Sequence, residues 1–152
     1  MIEIKLCGLK EPSHIEAAFN LGIKYFGFVF FEKSPRFLRN DSAKSLISLT
    51  PPGIIKVGLV VNPSDECLNS ISDLNLDMLQ LHGSESIDRV KEIKSKFNFS
   101  LIKAIGIKEK KDLDLVESYS EVADHLLIDA KPSSNASLPG GNGIKFDWTI
   151  LE

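Results

Sequence analysis

The chain has 152 residues, of which 43% are hydrophobic and 26% are charged, and its net charge is -3. This is the length and composition of one ordinary globular domain, and the negative charge argues against a nucleic-acid partner. No run of about 18 apolar residues and no secretory leader is present, so we expect a cytoplasmic protein without a membrane partner, in which both cysteines stay reduced.

Short apolar or alternating segments take turns with amphipathic segments along the chain. The predicted strands are Ile2–Cys7, Tyr25–Phe31, Ile55–Val61, Met78–His82, Leu101–Ile107 and Leu126–Ala130. The predicted helices lie near residues 12–21, 41–49, 64–74, 86–97 and 109–121. Strands that alternate with helices in this way predict βαβ units and a parallel sheet.

Local signals at the helix ends support these positions. Pro12 suits the first turn of the first helix, and Gly22 suits its C-terminal cap. Asp41, Ser64 and Ser86 are predicted to cap the N-termini of the next three helices.

The first strand places two polar side chains on one face. Successive side chains alternate between the faces of a strand, so Lys5 and Cys7 lie opposite Ile2, Ile4 and Leu6. If that apolar face meets the helices, Lys5 and Cys7 point together into the interior of the sheet.

Further polar side chains stand where the predicted strands end. Gln80 and His82 share a face of the fourth strand, and Asp129 ends the sixth. In a parallel α/β barrel, the C-terminal ends of the strands and the loops that follow them build the active site. Such positions are held by Cys7, Arg36, His82, Asp129 and the glycine-rich loop 131–143. This clustering is the main functional signal that the residues carry by themselves.

Several motifs together resemble one enzyme family, phosphoribosylanthranilate isomerase of tryptophan biosynthesis. In chain order they are KLCGL (5–9), GFVFFEKSPRFL (27–38), VGLVVN (57–62), LDMLQLHG (76–83), LIKAI (101–105), LLIDA (126–130) and GGNGIKFDW (140–148). Any one motif is weak, but their joint order and spacing over nearly the whole chain is specific.

The resemblance implies a TIM (β/α)8-type barrel that carries out an Amadori rearrangement. N-(5-phosphoribosyl)anthranilate would become 1-(2-carboxyphenylamino)-1-deoxyribulose 5-phosphate by general acid and base catalysis, without a cofactor or a metal. By resemblance, Cys7 is the base and Asp129 is the acid.

The resemblance also implies the residues that hold the phosphorylated substrate. Arg36 would hold the anthranilate end, since a planar guanidinium pairs with a carboxylate and lies along a ring. Gly140, Gly141 and Gly143 would let a mobile loop approach the ligand, and Asn142 stands where the family usually has threonine.

Four more residues receive binding or supporting roles. His82 is expected to support the substrate rather than to transfer a proton. The other supporting residues are Lys5, Gln80 and Lys103. Lys5 could favour the thiolate of Cys7, and Lys103 could tune the local charge if Leu101 and Ile105 face the interior.

Without the resemblance, each of these residues also has an ordinary interpretation. Cys7 could be a small packed side chain, and Asp129 could cap a loop. Arg36 could be a solvated surface charge, and Lys103 could extend its amine to water. Cys67, in a predicted helix, is expected to be structural.

The number of predicted units falls short of a complete barrel. Six strand units are present, and eight would need on the order of 50 further residues beyond the helix start at Asp147. We therefore expect residues 1–152 to form a single partial domain with open edges prone to self-association. Barrels often bind phosphate after strands seven and eight, so we expect little or no isomerase activity and poor folding from this segment alone.

Two alternatives to an active isomerase remain open at this point. One is an inactive barrel fragment, or one that needs complementation. The other is a different sugar-phosphate isomerase or epimerase barrel.

Overall fold

The computed structural model describes residues 2–133, 135–145 and 147–151. Met1 and Glu152, the ends of the expected domain, lie outside the described residues, as does Phe146 of the last motif. The strands are β1 (Lys5–Cys7), β2 (Tyr25–Val29), β3 (Ile55–Val60), β4 (Met78–Leu81), β5 (Ser100–Ile107) and β6 (His125–Ala130). The α-helices are α1 (Pro12–Asn20), α2 (Asn40–Ser48), α3 (Asp65–Ser72), α4 (Ile87–Lys96) and α5 (Leu113–Ser120). Single 3₁₀ turns occupy Lys110–Asp112 and Trp148–Leu151.

The six strands form one parallel sheet in the order in which they occur in the chain. Each strand pairs with the next, from Lys5 beside Tyr25 to Gly106 beside Asp129. A helix joins each pair of neighbouring strands, and the sheet curls into a half-barrel. The predicted α/β barrel-type fold with six units is therefore confirmed.

The two faces of the sheet carry different apolar clusters. The larger cluster combines strand residues such as Phe26, Phe28 and Leu79 with helix residues such as Leu68 and Ile93. It is therefore the layer between the sheet and the helices. The smaller cluster, Val57, Met78 and Ile102, contains strand residues alone and lies on the interior face. Because successive side chains of a strand point to opposite faces, the polar residues at the strand ends that share a face with the smaller cluster point into the interior.

The predicted signals at both ends of α1 are confirmed. Pro12 is the first residue of the helix, where its missing N–H costs no hydrogen bond. Gly22 follows the helix with a φ of 72° and donates its N–H to the carbonyl of Phe19. Such a positive φ is easily adopted by glycine, and it ends the helix.

Two of the three predicted N-caps are confirmed, and one is wrong. The Ser64 hydroxyl accepts the N–H of Cys67 at 3.1 Å, and the Ser86 hydroxyl accepts the N–H of Arg89 at 3.2 Å. Asp41 is not a cap, because α2 begins one residue earlier, at Asn40. Its carboxylate instead lies in the first turn, where a negative charge complements the helix dipole.

The first strand is shorter than predicted, and its apolar face is uncovered. Pairing begins at Lys5 beside Tyr25, and β1 has only β2 as a neighbour within the described residues. Ile2, Ile4 and Leu6 are 91%, 55% and 41% exposed, so the condition set for the inward direction of Lys5 and Cys7, that this face meets the helices, is not met within the described residues. None of the helices in the described ranges has both the length and the apolar character needed to cross a bilayer.

Candidate active site

A cavity of about 310 Å³ opens where the strands end. It is lined by eight of the ten predicted site residues: Lys5, Cys7, Arg36, Gln80, His82, Asp129, Gly140 and Gly141. Apolar side chains such as Phe31 and Leu127 complete the walls. An apolar cavity with a few convergent polar groups is the usual form of a small-molecule site.

Cys7 is held at the end of β1 by close contact with the neighbouring strand. The N–H groups of Gly8 and Leu9 both donate to the carbonyl of Gly27, at 2.8 and 3.0 Å. A side chain added at Gly27 would come within 3.0 Å of the Cys7 Sγ. Glycine at position 27 therefore leaves the room that the thiol occupies.

Arg36 lies across the mouth of the cavity. It is exposed to solvent, but its side chain passes over Gly8, which has a φ of 90°. Its Nη1 is 3.5 Å from the carbonyl oxygen of Cys7, and a Cβ on Gly141 would be 3.1 Å from its Nη2. The guanidinium thus stands beside the Cys7 backbone at the cavity wall, and a planar fork of donors there suits a carboxylate ligand.

His82 and Asp129 meet on the opposite wall of the cavity. The Nε2 of His82 lies 3.3 Å from Oδ2 of Asp129, and its Nδ1 lies 2.7 Å from Nε2 of Gln80. Burial lowers the pKa of His82 below its ordinary value, although the charge and hydrogen bond of Asp129 oppose the shift. The positive charges of Lys103 and Lys5 lower the pKa further. A neutral imidazole therefore faces the carboxyl group near neutral pH.

Asp129 lies in the predicted site, and its carboxylate also accepts a backbone hydrogen bond of the kind expected for a residue that caps a loop. Its Oδ1 accepts the N–H of Ala130 at 2.8 Å, while Oδ2 faces His82. The side chain is 33% exposed, so one edge of the carboxyl group remains open to a ligand.

The glycine-rich loop covers this acid wall. A Cβ on Gly140 would overlap the His82 ring and come within 2.9 Å of Oδ2 of Asp129. The Asn142 amide donates to the carbonyl of Leu138 at 3.0 Å and so braces the loop. Gly143 does not line the cavity, and nothing in the described part of the chain lies within 4 Å of a Cβ added there. Its approach to a ligand stays a prediction.

Lys103 takes an orientation that the sequence analysis did not expect. Its strand neighbour Leu81 belongs to the layer between sheet and helices, so Lys103 faces the helices rather than the interior. Its amine is not extended to water but pairs with Glu85 at 2.7 Å, and both side chains are buried. The sequence analysis missed Glu85, which lies in an irregular loop where periodicity gives no signal.

Together, a half-barrel of βα units and a cavity with a thiol, a carboxyl group and an arginine at its strand ends define a barrel enzyme of the acid–base class. The sequence model of the family described as N-(5'phosphoribosyl)anthranilate (PRA) isomerase matches residues 4–152. The chain belongs to this family, and the resemblance of its motifs is confirmed.

Curated relatives agree with the family match. The N-(5'-phosphoribosyl)anthranilate isomerase of Ruegeria sp. is 48% identical over 151 residues, and that of Paracoccus denitrificans is 46% identical. Each alignment covers 99% of this chain and 70% of the relative.

Solved structures show the same fold. Phosphoribosyl anthranilate isomerase from Thermotoga maritima aligns with a TM-score of 0.85 at 29% identity, covering 99% of this chain and 70% of that one. A second such structure, in complex with reduced 1-(o-carboxyphenylamino)-1-deoxyribulose 5-phosphate, aligns with a TM-score of 0.78 at 29% identity. That alignment covers 86% of this chain and 66% of the other.

Proposed function

We propose that this chain converts N-(5'-phosphoribosyl)anthranilate into 1-(2-carboxyphenylamino)-1-deoxyribulose 5-phosphate. The observation that carries the proposal is that Cys7 and Asp129, from the first and sixth strands, line one cavity at the positions of the family motifs. The similarity to relatives named for this isomerase favours it over an inactive fragment and over a different sugar-phosphate isomerase. The substrate is a small phosphorylated molecule, and the pathway is tryptophan biosynthesis.

Asp129 acts first, as the general acid. Its carboxyl group donates a proton to the ring oxygen of the ribose, the bond from that oxygen to C1 breaks, and an imine forms between C1 and the anthranilate nitrogen. An acid must carry its proton before it reacts.

Cys7 then acts as the general base. It removes the proton from C2 of the protonated imine, and the resulting enolamine takes up a proton at C1 while its C2 hydroxyl releases one, which gives the aminoketose. A thiol accepts a proton only as the thiolate, and the cationic side chains of Lys5 and Arg36 line the same cavity.

The remaining side chains bind and orient the substrate. Arg36 pairs with the anthranilate carboxylate through its planar fork of donors. Gly140 and Gly141 let the backbone of the loop close over the reacting atoms, where a side chain would collide with His82 or Arg36.

The test compares Cys7→Ser and Asp129→Asn with the wild-type chain under single-turnover conditions, so that a slow rate is still measured. We expect each change to lower the rate by about 10²- to 10⁴-fold, which is the usual contribution of a general acid or base. Binding of reduced 1-(o-carboxyphenylamino)-1-deoxyribulose 5-phosphate should change by less than about threefold, since that ligand undergoes no reaction.

Cys67→Ser is the matched control, because Cys67 lies in α3 and outside this cavity. It should keep the wild-type rate. A rate for Cys7→Ser within about tenfold of wild type would remove the thiol from the reaction.

A further inference from the structure

A buried ion pair lies beneath the loop that follows His82. The Lys103 amine is 2.7 Å from Oε2 of Glu85, and the two side chains are only 3% and 1% exposed. Neither charge lines the cavity that holds Cys7, although Lys103 lines an adjoining cavity together with His82 and Asp129.

The pair holds both polar groups of the Gly83 backbone. The Gly83 N–H lies 3.1 Å from each carboxylate oxygen of Glu85, and its carbonyl accepts the Lys103 amine at 2.7 Å. Gly83 is the residue directly after His82. The N–H belongs to the His82–Gly83 peptide and the carbonyl to the next peptide, so the pair fixes both peptide groups that follow the His82 side chain.

The same pair joins three neighbouring elements to this loop. The N–H of Asn62, after β3, donates to Glu85 at 2.8 Å. The Tyr119 hydroxyl of α5 donates to the Glu85 carbonyl at 2.7 Å, and its ring lies 5.4 Å from the Lys103 amine. The loop after β4 is therefore braced from β3, β5 and α5 at once.

Stability alone gives a weak reason for this arrangement. Two charges lose their hydration when they are buried, and replacing such a pair with apolar side chains is often neutral or stabilising. Gly83 also has no room for a side chain, because a Cβ there would come within 2.7 Å of the Asn62 backbone nitrogen. What the pair provides that an apolar pair cannot is directed hydrogen bonds to the two peptide groups on either side of Gly83.

We propose that Glu85 and Lys103 are positioning residues, which hold the His82 imidazole against the Asp129 carboxyl by clamping the Gly83 backbone. The consequence for catalysis rests on the function proposed above, whereas the placement of His82 does not. Charged groups reach His82 from three other strands: Lys5 of β1, Lys103 of β5 and Asp129 of β6.

The test uses Glu85→Gln in the full chain and reads two NMR signals. The first is amide exchange of Gly83 relative to Leu79 of β4, and we expect this ratio to rise by about tenfold or more as the clamp opens. A general loss of stability would speed both amides and leave the ratio unchanged.

The second signal is the titration midpoint of His82, with and without Asp129→Asn. The Asp129 carboxylate raises the pKa of His82, so Asp129→Asn should lower the midpoint in the wild-type background. In the Glu85→Gln background, Asp129→Asn should lower the His82 midpoint by about a third of that amount or less, because the imidazole no longer lies against the Asp129 carboxyl.

Three further variants complete the design. Lys103→Arg keeps the charge and the donors and should retain the wild-type exchange ratio. Lys96→Met removes an exposed ion pair with Asp65 and Glu92 and should leave both signals unchanged. If Glu85→Gln fails to fold, the uncharged double variant Glu85→Gln/Lys103→Met replaces it, because it leaves no unpaired buried charge.

The proposal requires both changes, and a wild-type value of either signal overturns it. Neither signal needs turnover. An inactive wild-type chain with both changes present would therefore count against the proposed function and not against the clamp.

Discussion

At the scale of single residues, Gly8 controls the mouth of the cavity through its backbone conformation. Its φ is 90°, and a Cβ there would overlap the side chain of Arg36. We predict that Gly8→Ala loses about 1–3 kcal/mol of stability from backbone strain, and that it also weakens binding of the reduced aminoketose phosphate by displacing Arg36. Urea unfolding and calorimetric titration measure the two effects.

Gly22 is the matched control for this change. Its φ is 72°, but a Cβ added there would meet nothing within 4 Å among the described residues. Gly22→Ala should therefore lose similar stability and keep the wild-type affinity. Equal affinities for the two variants would show that Arg36 does not hold the ligand.

The burial of His82 predicts how stability changes with pH. Its pKa is lowered on folding, so the unfolded chain binds a proton more readily than the folded chain does. The contribution is complete above the unfolded pKa of about 6.5 and is lost as the pH falls below it. Denaturant unfolding between about pH 7 and pH 5 should show a smaller loss in His82→Gln than in wild type. Parallel curves for the two proteins would contradict this.

The site residues differ in how readily the sequence predicts them. Cys7, His82 and Asp129 could be predicted, because strand alternation and the position at a strand end determine where each side chain points. Glu85 could not, because its partners come from the loop after β3 and from β5, and only the folded sheet brings them together.

At the scale of elements, Asp112 ties the start of α5 to the end of β6. Its Oδ2 accepts the N–H groups of Lys108 and Glu109, and its Oδ1 accepts the Lys131 amine at 2.6 Å. The hydrogen bond from Lys131, followed by those from the backbone, lowers the pKa of Asp112 to about 2.

The lowered pKa makes this tie dependent on pH. The carboxylate stabilises the fold above its unfolded pKa of about 3.9, and the contribution is lost as the pH falls toward 2. Asp112→Asn should cost roughly 2 kcal/mol near pH 7, measured by urea unfolding, and the difference from wild type should shrink below about pH 4. Asp114→Asn, at an exposed position of α5, should change stability by less than about 0.5 kcal/mol. A constant cost for Asp112→Asn at every pH would count against the charged tie.

Most helix and strand positions could be predicted from the sequence, but the face of β5 on which Lys103 lies could not. Lys103 shares a face of β5 with Leu101 and Ile105, and it was expected to face the interior if they did. Both are buried, but Leu101 packs with the helices, so Lys103 faces the helices too. Apolar side chains on both faces of a buried strand remove the alternation that would have revealed this.

At the scale of the whole molecule, the order of the strands leaves two edges. In the described residues, β1 pairs only with β2 and β6 only with β5. Unpaired strand edges promote association, and Leu6 of β1 adds an apolar side chain that is 41% exposed. We propose that the chain self-associates through these edges.

Sedimentation velocity over about a hundredfold range of concentration tests this, since association follows mass action. The average mass should rise with concentration, and Leu6→Lys should reduce the rise. Leu21→Lys, at an exposed apolar position after α1, should behave as wild type. A single monomeric species at all concentrations would contradict the proposal.

The central claim is that this chain moves a proton from C2 of its substrate by means of Cys7. The most direct measurement is a single-turnover reaction of N-(5'-phosphoribosyl)anthranilate in D₂O, with the product analysed by NMR. The account predicts an aminoketose that carries a solvent deuteron at C1 and that Cys7→Ser forms about 10²- to 10⁴-fold more slowly than the wild-type chain. Product formation at equal rates with both proteins would contradict it.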